Sequence, residues 1–405
     1  MNILILSDYF PPQLSVGAEN IAFEISKSYV RRGHNVGVIT INKLLNKGEV
    51  VVENYEGIKI YQIGFSYNEK LSAFVCLYNP FVLNIVKKII KNNNFNVAHI
   101  HNIHAYISYS VIGLLAKYNI PSILTVHDAM SIAYGKYNQG VSPNNKSIDA
   151  HVDYRLNYLK TWKDNWKRFN PIRNVFIRYQ FKKLKKIVCV SKELEKLLNA
   201  NSINNTTVIH NGLCQIGQPD ANSIAEFRNK LGIKNNDKVV LFAGRLSNLK
   251  GFSQVQKLMI RLVQKDNNIK LLIVGKRVSV DEKIINNVVN TGWLSKEEMG
   301  LAYRISKLSL APSIYLDPFP TVVLESMQHG TPVIASVYSG AKEAAIDGVT
   351  GFHINPFDMD NFADKTFKIL DNVDIYRSMS QRSKAEFKER FDIEKCTDKY
   401  LRLIA

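Results

Sequence analysis

The chain has 405 residues, 46% hydrophobic and 22% charged, with a formal net charge of +18 at pH 7. That length exceeds the usual single-domain size, and the composition is that of an ordinary globular protein with a sizeable core, so two domains are expected. The four cysteines, Cys76, Cys189, Cys214 and Cys396, are scattered without a C-x-x-C pair, which argues against a disulfide framework or zinc site and suits reduced thiols in the cytoplasm.

The chain opens on a predicted strand, without a basic and apolar leader. No uncharged run reaches the roughly 20 residues that span a bilayer. The most apolar stretch, 74–90, is interrupted by Asn79, Pro80 and Asn84, so a soluble or peripheral protein is expected. Onward from there, short β-branched runs alternate with longer helical stretches, twice over. The first series comprises 3–6, 36–40, 59–63, 97–101, 123–127, 187–191 and 208–211. The second comprises 239–243, 271–275, 288–293, 308–312, 333–336 and 351–355. Buried parallel strands read as such short apolar runs, and the intervals are long enough for crossover helices. Two doubly wound α/β domains follow, with ligands expected beyond the carboxyl ends of the strands. The expected boundaries are 1–212, a polar linker at 213–236, a second domain at 237–385 and a closing segment at 386–405.

Several positions along this plan carry chemistry. Gly17 lies in the loop Pro11–Glu19, ahead of a helix running to Arg31. His99 and His101 end one predicted strand, and His127, followed by Asp128, ends the next; taken alone, such histidines suit packing as well as a ligand. Between Asp153 and Lys186 eleven cations face only two acids, and eight aromatics, Trp162 and Trp166 among them, interleave with the charge. Two helices broken at Pro171 are predicted there. Clustered cations and interfacial aromatics suit an anionic membrane. Nucleic acid is the other partner such charge suggests, but no helix-turn-helix, finger or RNA-binding signature accompanies it.

In the second domain the strand 239–243 leads into Gly244-Arg245, and Lys250-Gly251 follows. A glycine that allows close approach, a bidentate guanidinium and an ammonium point charge at a strand's carboxyl end suit a diphosphate. Further on, Asp317 and Glu325 bracket Pro-Phe-Pro-Thr-Val-Val-Leu. Pro320 suits the first position of a helix that stops near Gly330. The first amides of that helix, around Thr321, Val322 and Val323, form an anion site, with Glu325 roughly 7–8 Å farther along. Carboxylates on either side of an anion site suit a nucleotide-sugar, which has hydroxyls at both ends and phosphate between them.

The Asp317–Glu325 stretch, continued by Ser-Met-Gln-His-Gly-Thr-Pro-Val-Ile-Ala, resembles the Glu-(seven residues)-Glu motif of the retaining glycosyltransferases of family 4. The resemblance covers nearly the whole chain and implies the GT-B fold, two Rossmann-like domains facing a central cleft, with the last helix crossing back to the first domain. It implies that the first domain binds a glycan or lipid-linked acceptor and the second a nucleotide-sugar, UDP ahead of GDP, without a metal or other cofactor. Arg245 and Lys250 would hold the leaving diphosphate, Glu325 the ribose hydroxyls and Asp317 the donor sugar. His127, in its Thr-Val-His-Asp context, would face that sugar, and Gly17 would let the backbone approach donor phosphate or acceptor. Asp317 stands where the family usually has Glu, and Ala18 and Lys276 where it often has glycine. A cell-surface polysaccharide or glycoconjugate pathway is the expected setting, in the cytoplasm or at the inner face of the cell membrane. A nucleotide-sugar epimerase on the same architecture, or a basic membrane- or nucleic-acid-binding module, is the alternative.

Overall fold

The computed structural model describes residues 1–13, 17–150 and 152–404. They form two compact units, one of Met1–Tyr137, Tyr154–Cys214 and the residues from Ile393 on, the other of Asn138–Asp153 and Gln215–Asp392.

The first unit is built on eight strands: β1 (Asn2–Leu6), β2 (Asn35–Asn42), β3 (Val50–Tyr55), β4 (Ile58–Gly64), β5 (Val97–Ile100), β6 (Ser122–Val126), β7 (Lys186–Cys189) and β8 (Thr206–Val208). Their order is β3-β4-β2-β1-β5-β6-β7-β8, and only the β3–β4 pair is antiparallel. The helix Ala18–Arg31 packs Ile21, Ala22, Ile25 and Tyr29 into the core, the i, i+4 spacing that puts them on one face. The helix Ile393–Ile404 closes the same core with Ile393, Tyr400 and Ile404. Its Glu394 accepts hydrogen bonds from Ser28 Oγ (2.8 Å) and from Arg31 and Arg32, and the Ile393 amide donates to the Leu213 carbonyl at 3.1 Å.

The second unit has six parallel strands: β9 (Lys238–Ala243), β10 (Ile269–Val274), β11 (Val288–Gly292), β12 (Leu308–Ala311), β13 (Val333–Ser336) and β14 (Gly351–Ile354), in the order β11-β10-β9-β12-β13-β14. The helix Phe252–Lys265 presents Phe252, Val255, Leu258, Met259 and Leu262 to one side of the sheet. The other side is covered in part by Phe227 and by Tyr303 of the helix Lys296–Ile305. In each sheet the winding reverses beside the first strand of its series, between β1 and β5 and between β9 and β12. Crevices at such reversals are where doubly wound sheets bind ligands.

The structure departs from the sequence expectations in several places. The antiparallel edge strand β3 has no counterpart in the predicted series, because its residues alternate between exposed and half-buried and its apolar run, Val50 to Val52, stops after three residues at Glu53. β8 starts at Thr206, before the predicted 208–211, although the Ile209 amide still reaches the Cys189 carbonyl at 3.1 Å. The expected linker 213–236 contains a helix, Ala221–Lys230, capped by Asp220 on the Ser223 amide (2.9 Å) and anchored by buried Phe227. A polar composition hid a helix whose large apolar contacts are Phe227 and partly buried Ile224. The segment 138–153 belongs to the second unit, where Asn355 Nδ2 donates to the carbonyls of Asn145 (2.8 Å) and Ser147 (2.7 Å). At the other end, residues 386–392 stay with the second unit, and the change to the first falls at Ile393.

Candidate functional site

In the second unit the switch-point loops bring together seven of the residues singled out from the sequence. Gly244 ends β9 and donates its amide to Val274 O at 3.0 Å. Beside it Gly275 adopts φ +140°, and a Cβ there would lie 2.2 Å from the Gly244 carbonyl oxygen, so only glycine lets these two strand ends lie backbone on backbone. Ser247 caps the short turn Asn248–Lys250. That turn is pinned to the end of β12 by Gly251, whose Cβ would sit 2.1 Å from Pro312 O, and by the Ile314 amide on Leu249 O at 2.8 Å. Pinning the turn delivers Lys250 to Asp317, with Nζ 2.5 Å from Oδ2.

Asp317 is buried, and Ser313 Oγ also donates to its Oδ2 at 2.9 Å. Its own carbonyl accepts from the Gly340 amide (2.8 Å) and Ser339 Oγ (3.1 Å). Burial pushes the Asp317 carboxyl up, but the Lys250 charge and the hydrogen bonds from Lys250, Ser313 and Tyr315 outweigh it and hold the group below the ordinary carboxylate range. The sequence reading treated Lys250 as a phosphate ligand and Asp317 as a sugar ligand; the structure joins them in one ion pair.

The helix Thr321–Gln328 starts one residue later than expected, because Pro320 keeps an extended ψ of 126° and serves as the cap. Its first-turn amides, Thr321 and Val322 among them, have no intrahelical acceptor by the geometry of a helix start. Gly244 borders this turn, a Cβ there lying 3.8 Å from Val322 Cγ1. Arg245, next along, is exposed. One turn into the helix, Glu325 Oε2 accepts a 2.9 Å hydrogen bond from the Tyr303 hydroxyl. Burial raises the Glu325 carboxyl above its ordinary value, against the hydrogen bonds of Tyr303 and Thr321. The capping box of Ser295 and Glu298 starts the helix that carries Tyr303, and His329 stacks on its ring at 5.4 Å. Tyr303 has no motif around it, and sequence reasoning missed it.

His127 and Gly17 lie in the first unit. Gly17 caps the helix Ala18–Arg31, with no atom of the described residues within 4 Å of where a Cβ would stand; Leu14, Ser15 and Val16 of the same loop lie outside the described residues. His127, just past β6, pairs its Nε2 with Nδ1 of buried His101, just past β5, at 2.9 Å, the rings stacked at 5.3 Å. Behind them His99 bridges the Thr125 hydroxyl (2.7 Å) and the Tyr29 hydroxyl (3.1 Å). Burial pushes His127 down to about 4 and His99 down to about 3, and takes His101 well below its ordinary value. The cluster is therefore uncharged at neutral pH, a set of hydrogen-bonding groups and not of cations. Asp128 caps the turn that follows, its Oδ1 accepting from the Met130 amide at 2.8 Å. A further buried acid, Asp8, follows β1 and accepts the amides of Ala105, Tyr106 and Ile107 at 2.7–2.9 Å, fixing the loop after His101. Its place directly after the first strand was the signal available in the sequence.

Two family models match the chain, Glycosyltransferase Family 4 over residues 16–213 and Glycosyl transferases group 1 over residues 223–386. An uncharacterized glycosyltransferase of Methanocaldococcus jannaschii is 24% identical, over 96% of this chain and 94% of its own. Among solved structures, sucrose-phosphate synthase from Thermosynechococcus elongatus superposes with a TM-score of 0.72 at 17% identity, covering 99% of this chain and 98% of that one. Anabaena HepE in complex with UDP-glucose gives 0.66 at 18% identity, covering 99% and 98%. The paired sheets, the switch-point loops and these matches agree, and the chain belongs to the family 4, group 1 glycosyltransferases of the GT-B fold.

Proposed function

We propose that the protein is a retaining glycosyltransferase that moves a sugar from a nucleotide-diphosphate sugar, UDP-linked ahead of GDP-linked, to a glycan or lipid-linked glycan. The observation that carries this is the grouping of Arg245, the Lys250–Asp317 pair, the start of the helix Thr321–Gln328 and Glu325 around one strand switch. In this reading the diphosphate lies against the helix amides, Arg245 and Lys250, where preorganised positive charge stabilises the phosphate oxygens as the glycosidic bond breaks. Lys250 and Arg245 do this without a metal. Glu325 receives the ribose hydroxyls and Asp317, beside Lys250, the sugar hydroxyls. The acceptor oxygen bonds the anomeric carbon on the face the diphosphate leaves, and the departing phosphate takes the acceptor's proton. His127, uncharged, donates or accepts a hydrogen bond to a sugar hydroxyl. A cell-surface polysaccharide or glycoconjugate product fits this chemistry, and support comes from the similarity over 45% of this chain to the lipopolysaccharide 1,2-N-acetylglucosaminetransferase of Salmonella typhimurium.

The test begins with thermal melting against UDP, GDP and their sugars, with chelator and with magnesium. A nucleotide at 100 times its dissociation constant stabilises by about 2.7 kcal/mol, and the shift is expected from one base and unchanged by chelator. Transfer should then be nearly abolished in Glu325→Ala and in Lys250→Ala, each shown to be folded by its own melt. Normal transfer in either folded variant would sink the assignment, and conversion of the donor without any acceptor would identify an epimerase.

A further inference from the structure

We propose that the first unit carries a face for docking on an anionic lipid surface, assembled from two segments far apart in the chain. This goes beyond the donor chemistry of the second unit and does not depend on it.

The helices Tyr158–Asn165 and Arg173–Phe181 divide their aromatics unequally. Phe181 is in the core, and Tyr154 is bonded to Glu193. Tyr158, Leu159, Trp166, Ile172, Val175 and Tyr179 are each more than half exposed, and Trp162 is 43% exposed. Among the described residues of the first of these helices only Thr161 is buried. Single exposed apolar residues are ordinary, but seven of them within two consecutive helices and their flanks are a concentration of the kind that marks interaction sites.

The structure extends the face beyond the basic segment. Leu71, Phe74 and Tyr78, from the short helical stretch ahead of Pro80, are also more than half exposed. The two segments meet where Asn170 Nδ2 donates to the Ala73 carbonyl at 3.3 Å. Arg173 anchors its helix beneath this face: its buried guanidinium bonds the Met130 carbonyl and Asn174 Oδ1 at 2.9 Å. Arg173 is thus withdrawn from the cation set, and the ten other cations of 153–186 remain exposed or half-exposed against Asp153 and Asp164.

This charge imbalance selects an anionic partner, and the apolar residues select a bilayer. Aromatic rings stack equally well on nucleobases, but the exposed aliphatics Leu71, Leu159, Ile172 and Val175 gain nothing from bases. At a membrane those aliphatics enter the boundary of headgroups and acyl chains, Trp and Tyr settle at the interface, and lysine and arginine meet the lipid phosphates. Among the described residues no single helix is long and apolar enough to cross a bilayer, and the one pair that passes by length and composition, Glu69–Val75 with Pro80–Lys91, is bent by 57°.

The experiment uses the full chain with vesicles of phosphatidylcholine alone or mixed with phosphatidylglycerol. Partition onto the anionic vesicles is expected to be at least about tenfold stronger and to weaken as salt is raised. Leu71→Ser with Phe74→Ser, and separately Trp162→Ser with Trp166→Ser, should each lower it several-fold without moving the melting temperature. Brominated acyl chains should quench tryptophan fluorescence in the unaltered protein. Equal partition onto both vesicles, absence of quenching, or full anionic preference in the Leu71→Ser, Phe74→Ser variant overturns the proposal. Capture by single-stranded RNA without vesicle binding overturns it in favour of a nucleic-acid face.

Discussion

The carboxyl ends of the two sheets share a topology and differ in their electrostatics. Beyond β5 and β6 the first sheet gathers His99, His101 and His127, all pushed by burial toward the neutral form. Beyond β9 and β12 the second gathers an ion pair, an exposed arginine and a helix start. A neutral cluster of donors and acceptors recognises hydroxyls without attracting phosphate. A charged one suits phosphate at the cost of burying Asp317, which the structure offsets with Lys250, Ser313 and Tyr315. The same scaffold thus supplies two chemistries through the residues that follow its strands.

The largest effect that would test this contrast is acid titration. The histidines' folded values lie below the ordinary 6.5, with His127 at about 4, so the unfolded chain binds protons the folded chain does not. Stability from this cluster is complete above about pH 6.5 and declines as pH falls toward 4, by on the order of 3 kcal/mol for His127 alone. Urea unfolding at intervals from pH 7 to 4 should show that decline, and His99→Gln should make it shallower by removing that residue's share; a flat profile in the unaltered protein would erase the distinction between the sheets.

Next comes Lys250→Met, which leaves the buried Asp317 carboxylate without its cation. A loss of about 2–3 kcal/mol is expected, at or below the lower end for broken buried pairs because Lys250 keeps 26% exposure. The depressed carboxyl contributes stability above its unfolded value that is lost as pH falls through its folded value, so in the variant this loss should move to higher pH. Adding Asp317→Asn should restore most of the stability, and no recovery in the double variant would deny that the pair is coupled. Tyr303→Phe should cost about 1–2 kcal/mol by leaving Glu325 short of a donor, with nucleotide affinity reduced as well. Arg245→Ala should have the smallest effect on folding, within about 0.5 kcal/mol, while weakening nucleotide-induced stabilisation. A large drop in melting temperature there would make Arg245 a structural residue and narrow the contrast.

Much of this was legible in the sequence because parallel strands are apolar on both faces and announce themselves as short runs. The edge strand β3 breaks that rule, and the helix Ala221–Lys230 hides in polar sequence because its large apolar contacts are just Ile224 and Phe227. The motif around Asp317 and Glu325 could be located from its spacing, but not the partners of its acids. Lys250 and Asp317 are 67 positions apart, and only the turn locked by Gly251 against Pro312 makes them neighbours. His101 was visible as a histidine at a strand end; that it holds His127 depends on β5 and β6 being adjacent and in register.

The helix Ile393–Ile404 gives the molecule an order of assembly. All of the second unit, residues 138–153 and 215–392, precedes this helix in the chain, and the core clusters of that unit contain no residue from it. The first unit is made earlier yet must wait, with the faces of Tyr29 and Thr125 that receive Tyr400 uncovered until the last turn emerges. Without the helix Ile393–Ile404 the first unit would expose the apolar surface that Ile393, Tyr400 and Ile404 cover, an open hydrophobic seam of the kind that chaperones and proteases act on.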